Sequence, residues 1–208
     1  MLNLLDLTRL KDFRFPRKVI GYAVWAYHRF ALSLRNVKDL LTSRGIIVSY
    51  ETTRDWVARF GVQFAKNIRR DRPRPADKWH LDEVVIAIKA RKNWLWRAVV
   101  SNGDVLGILV RSRRNKAAAK PEIVPGIEHR QHKSLNNRSE ASHRHTRRRE
   151  KIMSRFKSPG QAQRFLSVHE QAANLFRLKR HRLPAASYRH ARNDAFALWA
   201  GYCPELTA

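Results

Sequence analysis

Residues Trp79–Ile88 read WHLDEVVIAI, and the architecture turns on them. Apolar residues alternate along this stretch with the two-residue period of a half-buried strand. The alternation places Asp82 on the same face as Val84, Ile86 and Ile88. A carboxylate on an apolar strand face costs free energy unless a cation or hydrogen-bond donors satisfy it. At the rim of a sheet it would meet water or an arginine. Two further strands are predicted downstream, WLWRAVV (Trp94–Val100) after the turn ARKN and VLGILV (Val105–Val110) after SNGD. Asn102-Gly103 is a strong hairpin signal. Three consecutive antiparallel strands open an α/β or α+β sheet.

Upstream, residues 17–60 read as three short helices. Val19, Tyr22, Ala23, Ala26 and Phe30 lie near helical spacing after Pro16. Val37, Leu40 and Leu41 mark a second helix that stops at Gly45, the residue suited to a left-handed helix end. Ser49 is a good N-cap for the third, which sets Thr53, Trp56, Val57 and Phe60 on one face. Two helices joined by a tight glycine-containing turn predict a helix-turn-helix spanning 15–62. In that motif the N-terminal residues of the second helix reach base edges, which here means Tyr50, Glu51, Thr52 and Arg54. Thr52, Thr53 and Arg54 are the candidates for base contact. The charged, proline-broken stretch 63–78 reads as a basic linker.

Downstream, residues 111–157 hold fifteen Lys/Arg and four Asp/Glu. Asn136, Asn137, Glu140, His143 and Arg147 fall on one face of a polar helix. Lys133, Arg138, Arg144, Arg147 and Arg148 are candidates for phosphate contact. His129, His132, His143 and His145 lack close zinc-ligand partners and read as phosphate or water contacts. Residues 158–202 return to core-like helices, with Phe165, Val168, Ala172, Leu175 and Phe176 as a stripe before Pro184. Ala195, Phe196 and Trp199 belong to a last helix.

Composition narrows the function. The 208 residues carry 43 Lys/Arg against 17 Asp/Glu, a formal charge of +26, with 43% hydrophobic residues. That charge excludes an ordinary metabolic enzyme surface and points to a nucleic-acid partner. The apolar content excludes a disordered basic tail. One cysteine, Cys203, excludes a disulfide framework and a cysteine-based zinc site. Apolar runs are broken by charge well before a membrane span, and no secretory signal is visible. The expectation from composition is a soluble cytosolic protein that works on DNA or RNA. A basic structural protein such as a ribosomal subunit is the competing class.

The words WHLDE, W-x-W-R-A-V, RSRRN, EHRQHKSLNNRSE, RRRE and RFKSPGQAQRFL occur in this order. Together they resemble bacterial insertion-sequence transposases of the DDE type, closest to the insertion-sequence-six family, from about Phe15 to Tyr202. The resemblance implies an N-terminal helix-turn-helix and a ribonuclease-H/integrase-like catalytic domain, here 79–157, completed by the C-terminal helices of 158–202. It also implies two aspartates and a glutamate holding two Mg²⁺ ions, with Mn²⁺ able to substitute. Asp82 matches the first carboxylate and Glu140 the last, as catalytic residues and metal ligands. Two hard cations on oxygen ligands suit an in-line phosphoryl displacement. The implied partners are the terminal inverted repeats and target DNA, with homo-oligomers acting on paired ends.

The second aspartate has no counterpart. The chain passes from Arg113-Arg114-Asn115-Lys116-Ala117 through Pro121 into Glu122-Ile123-Val124-Pro125, and only 16 residues separate Arg111 from Glu128. A crossover alone needs about a dozen residues. Asp104 lies 36 positions before Glu140 but follows Asn102-Gly103, where a turn aspartate is the default. The expectation is a catalytic domain truncated in the middle and a chain that binds DNA with impaired strand transfer. The alternative is a DNA-binding remnant that occupies element ends or inhibits an intact transposase.

Overall fold

The computed structural model describes residues 10–72, 79–100, 103–115, 119, 122–123, 150–152, 155–178 and 183–207. In chain order the elements are α1 (Arg17–Arg29), α2 (Leu34–Thr42), α3 (Tyr50–Asp71), β1 (Trp79–Ile88), β2 (Arg91–Val100), β3 (Val105–Arg111), α4 (Pro159–Phe176) and α5 (Ala185–Tyr202). They form two compact units, one from residues 1–71 and 171–208, the other from 72–170.

In the first unit, local chemistry sets the helix ends. Pro16 precedes α1 and supplies its fixed φ at the start. Ser33 caps α2, its hydroxyl accepting the Asn36 N–H at 3.1 Å. Gly45 takes φ +73° after α2. The Ile46 N–H bonds the Leu41 carbonyl at 3.0 Å and the Gly45 N–H bonds that of Thr42 at 2.9 Å, a Schellman end. Ser49 then caps α3, accepting the Thr52 N–H at 3.0 Å. Both punctuation residues serve as the sequence indicates.

The third helix runs further than its sequence suggests. It continues to Asp71, so residues 63–71 are helix and not linker. Phe60, Phe64 and Ile68 repeat at four-residue steps and are buried, while Lys66, Arg69 and Arg70 occupy the exposed side. Charge on one face hides the apolar period on the other.

The C-terminal helix packs on α1 and α3. Phe64 and Trp199 stack with ring centroids 4.1 Å apart, and the Trp199 indole N–H donates to the Gly21 carbonyl at 3.1 Å. Gln63 pairs with the backbone of Thr207 at 2.9 Å in both directions. Residues 171–208 therefore belong with the N-terminal helices, whereas the sequence reading groups 158–202 with the catalytic domain. Cys203 is buried, and desolvation pushes its thiol up to about 11.

The second unit is a three-stranded antiparallel sheet in the order β1-β2-β3 with helical cover. Lys89 and Ala90 both have positive φ, which makes the β1–β2 connection a two-residue hairpin turn. This turn starts β2 at Arg91, three residues earlier than the sequence suggests. Neither turn residue is glycine or asparagine, so the usual signal is absent. β2 is the central strand and is buried from Leu95 to Val100. On one face Trp79, Ala98, Val100 and Leu106 cluster, with Leu81 and Ile123 packed against them. Trp96, Leu109 and Ala119 form a second cluster.

Two contacts tie the cover to the sheet. The Gln163 side chain on α4 accepts the Val110 N–H at 2.7 Å and donates to the Ile108 carbonyl at 3.1 Å. Ile123 passes so close to Gly107 that a Cβ there would lie 2.9 Å from the Ile123 carbonyl oxygen. Gly107→Ala must shift backbone. It is expected to cost about 1–3 kcal/mol, read as a lowered urea midpoint with unchanged m-value.

Candidate active site

Asp82 stands where its alternation puts it. It is 6% exposed, in line with buried Val84, Ile86 and Ile88, while Val85 on the other face is 42% exposed. The antiparallel register sets Asp82 opposite Arg97 of β2. Residues directly opposite in such a pair share a face, so the two side chains meet. The Arg97 Nε donates to Asp82 Oδ2 at 3.0 Å, and the Nη2 donates to the same oxygen.

A third charge closes the group. Glu170 of α4 is fully buried, and its Oε1 lies 3.5 Å from Arg97 Nη1. Arg97 is itself fully buried. A guanidinium thus lies between two buried carboxyl groups. Buried charges persist when they are paired; Arg97 hydrogen-bonds Asp82 and lies within ion-pair distance of Glu170. Asp82 therefore meets an arginine inside the core, not at a sheet rim.

Arg97 and Glu170 escape the sequence reading. Arg97 is the single charge in the run Trp94–Val100, and a strand buried on both faces needs a partner for it. Glu170 sits among Leu166, Val168 and Ala172, a lone acid in an apolar stripe. Each signal is visible only when strand register and helix docking are known.

The other sequence candidates fall as follows. Glu140, Lys133, Arg138, Arg144, Arg147 and Arg148 lie outside the described residues, as do the four histidines. Asp104 sits at the turn before β3, its carbonyl accepting the Val100 N–H at 3.0 Å. Glu83, on the face of β1 opposite Asp82, pairs with Arg114 at 2.7 Å and holds that guanidinium above its ordinary value. At the start of α3, Arg54 is exposed and Thr52 is half-buried, its hydroxyl 3.0 Å from that of Ser49. Thr53 does not face outward. It is fully buried, and its hydroxyl donates to the Ser49 carbonyl at 3.1 Å. Its place on the Trp56–Phe60 face takes it out of any base-contacting set.

Residues 76–124 match the DDE-domain family of IS240-type transposases. The middle of this chain is similar in sequence to DDE insertion-sequence transposases. It is 32% identical over 106 residues to the transposase for insertion sequence element IS257 in transposon Tn4003 of Staphylococcus aureus, covering 51% of this chain and 47% of that protein. It is 31% identical over the same length to the transposase for insertion sequence-like element IS431mec from S. aureus strain Mu50. The chain spans about half the length of the curated relatives it matches. No solved structure matches it significantly.

The matched DDE segment contains Asp82, Glu83, Arg97 and Arg114. DDE transposases use divalent metal ions, so the donor set around Asp82 is the test. Among the described residues, no three His, Cys, Asp or Glu side chains gather as a metal cluster. One Asp82 oxygen receives two N–H groups from a cation, and the nearby Glu170 faces that same cation. Mg²⁺ demands octahedral oxygen ligands and keeps several waters. A fully buried guanidinium between the two acids does not fit that requirement.

No helix among the described residues is long and apolar enough to cross a membrane.

Proposed function

We propose that this chain is an insertion-sequence transposase by descent that binds DNA, with strand cleavage and transfer impaired. The observation that supports descent is the match of residues 76–124 to a DDE-domain family. The impairment rests on the second aspartate, which has no counterpart between Arg111 and Glu128. Glu140 would be the last carboxylate. The charge of +26 suits a duplex partner.

In this reading α2, the turn and α3 act as a helix-turn-helix on the terminal inverted repeats. Arg54, with Thr52 beside it, reaches base edges. Lys133, Arg138, Arg144, Arg147 and Arg148 contact phosphates of element ends and target DNA. The protein works in the bacterial cytoplasm on the nucleoid, as a homo-oligomer on paired ends. The missing second aspartate favours a second reading, a DNA-binding remnant that blocks an intact transposase in trans.

The test is a donor plasmid bearing the terminal inverted repeats, incubated with purified protein and Mg²⁺ or Mn²⁺. An intact relative is the positive control. Nicked and joined products are expected only in the control. Product yields matching the control would overturn the impaired-enzyme reading. Inhibition of the control by added chain would establish the blocking role.

A further inference from the structure

We propose that Arg29 and Arg192 hold backbone phosphates of the DNA flanking the bases read at the start of α3, from a strip of arginine-capped aromatic rings on the helical unit. The inference adds a binding surface to those proposed above, and it rests on the reading of the chain as a DNA binder.

The strip is built on Trp25 of α1. Its ring packs against Tyr22, Phe30, Phe176 and Phe196, with centroids 5.0 to 6.3 Å apart. Phe30 and Phe196 stay 44% and 38% exposed. A guanidinium stands over three of these rings: Arg29 over Phe30 at 5.7 Å, Arg192 over Phe196 at 6.0 Å and Arg44 over Tyr22 at 4.8 Å. Arg44 lies in the turn between α2 and α3. The strip is therefore continuous with the turn that the DNA reading sets on the inverted repeat, and all of it belongs to one compact unit.

Charge decides what the strip can take. Arg29 and Arg192 are exposed, and among the described residues neither pairs with a carboxylate. Asp194 is the acid nearest to Arg192 in sequence, but it lies about 200° further round the helix and pairs with His190 at 3.5 Å. Tyr188, Arg192 and Phe196 follow one another at four-residue steps on one face of α5. Desolvation pushes the Arg29 guanidinium below its ordinary value; Tyr188 opposes this, and the like charges of Arg177 and Arg192 add to it. Guanidiniums gathered in this way repel one another, and a phosphodiester among them turns repulsion into attraction. The ring beneath each guanidinium restricts its position and leaves the fork of N–H donors at its edge. An acidic protein segment is the other anion of this kind. Continuity with the α2–α3 turn favours the DNA backbone.

The probe is a labelled duplex of scrambled sequence, bound to the full chain and followed by fluorescence anisotropy across a salt series. Arg29→Gln combined with Arg192→Gln is expected to lower the slope of log affinity against log salt by about two, with affinity at 0.1 M salt falling on the order of tenfold or more. Arg29→Lys with Arg192→Lys, which keeps both charges, should preserve the slope. The glutamine variant should unfold at an unchanged or higher urea concentration, because it relieves like-charge repulsion. If it does not fold, Arg192→Gln alone is expected to lower the slope by about one. Wild-type binding whose slope survives the glutamine changes overturns the proposal and leaves the strip to a protein partner. A wild type that binds no duplex at any salt overturns the DNA-binding reading itself, so the two failures are distinct.

Discussion

Arg97→Met is expected to destabilise the sheet unit by about 3–5 kcal/mol, the usual cost of removing one partner of a buried ion pair. Two buried carboxyl groups, Asp82 and Glu170, would lose their shared cation. The flexible thioether fills volume but donates no hydrogen bond. Trp79, Trp94 and Trp96 lie in the sheet while Trp25, Trp56 and Trp199 lie in the other unit, so urea unfolding followed by hydrogen exchange of the β1–β3 amides reports on this unit. The triple variant Asp82→Leu, Arg97→Met, Glu170→Leu separates charge from packing. Replacing a whole buried charge group by apolar side chains is often neutral or stabilising. The triple variant is therefore expected to recover most of the loss. A single Arg97→Met change within about 1 kcal/mol of wild type would show that the guanidinium is not holding buried charge.

Affinity for duplex DNA is expected to fall about 10³–10⁵-fold between 50 and 200 mM salt, the behaviour of a protein that neutralises roughly six to ten phosphates. The basis is a formal charge of +26 on 208 residues, with fifteen basic side chains between 111 and 157. Fluorescence anisotropy with labelled duplex across a salt series gives the slope. Inverted-repeat and scrambled duplexes should share that slope, because phosphate contacts carry no sequence information. Base readout appears as an offset between the two lines. Arg54 is exposed near the start of α3, and Arg54→Ala is expected to shrink that offset by about 1–3 kcal/mol. Thr53→Ser should leave the offset alone, since its side chain is turned into the helical core. A salt-independent affinity would remove the phosphate-binding reading.

Local features of this fold are legible in the chain's own residues. Gly45 and Ser49 mark helix ends, because a left-handed residue and an N-cap act on backbone groups within one turn. The alternation around Asp82 survives intact, because side-chain direction in a strand depends only on parity. Boundaries read less well where charge masks the apolar period, as in the second half of α3. The β1–β2 turn is hidden because Lys89 and Ala90 adopt positive φ without the residues that usually do so.

Parity, capping and composition suffice to establish that Asp82 shares a face with Val84, Ile86 and Ile88, that Ser49 opens a helix, and that the chain is strongly basic. What satisfies the Asp82 carboxylate is a matter of packing across the unit. Arg97 lies 15 positions away and meets it through hairpin register, and Glu170 joins from α4 because that helix docks on the sheet. Periodicity is written in neighbouring residues. A buried charge finds its partner only when distant segments are brought within a few ångströms, and the low dielectric there makes the pairing obligatory.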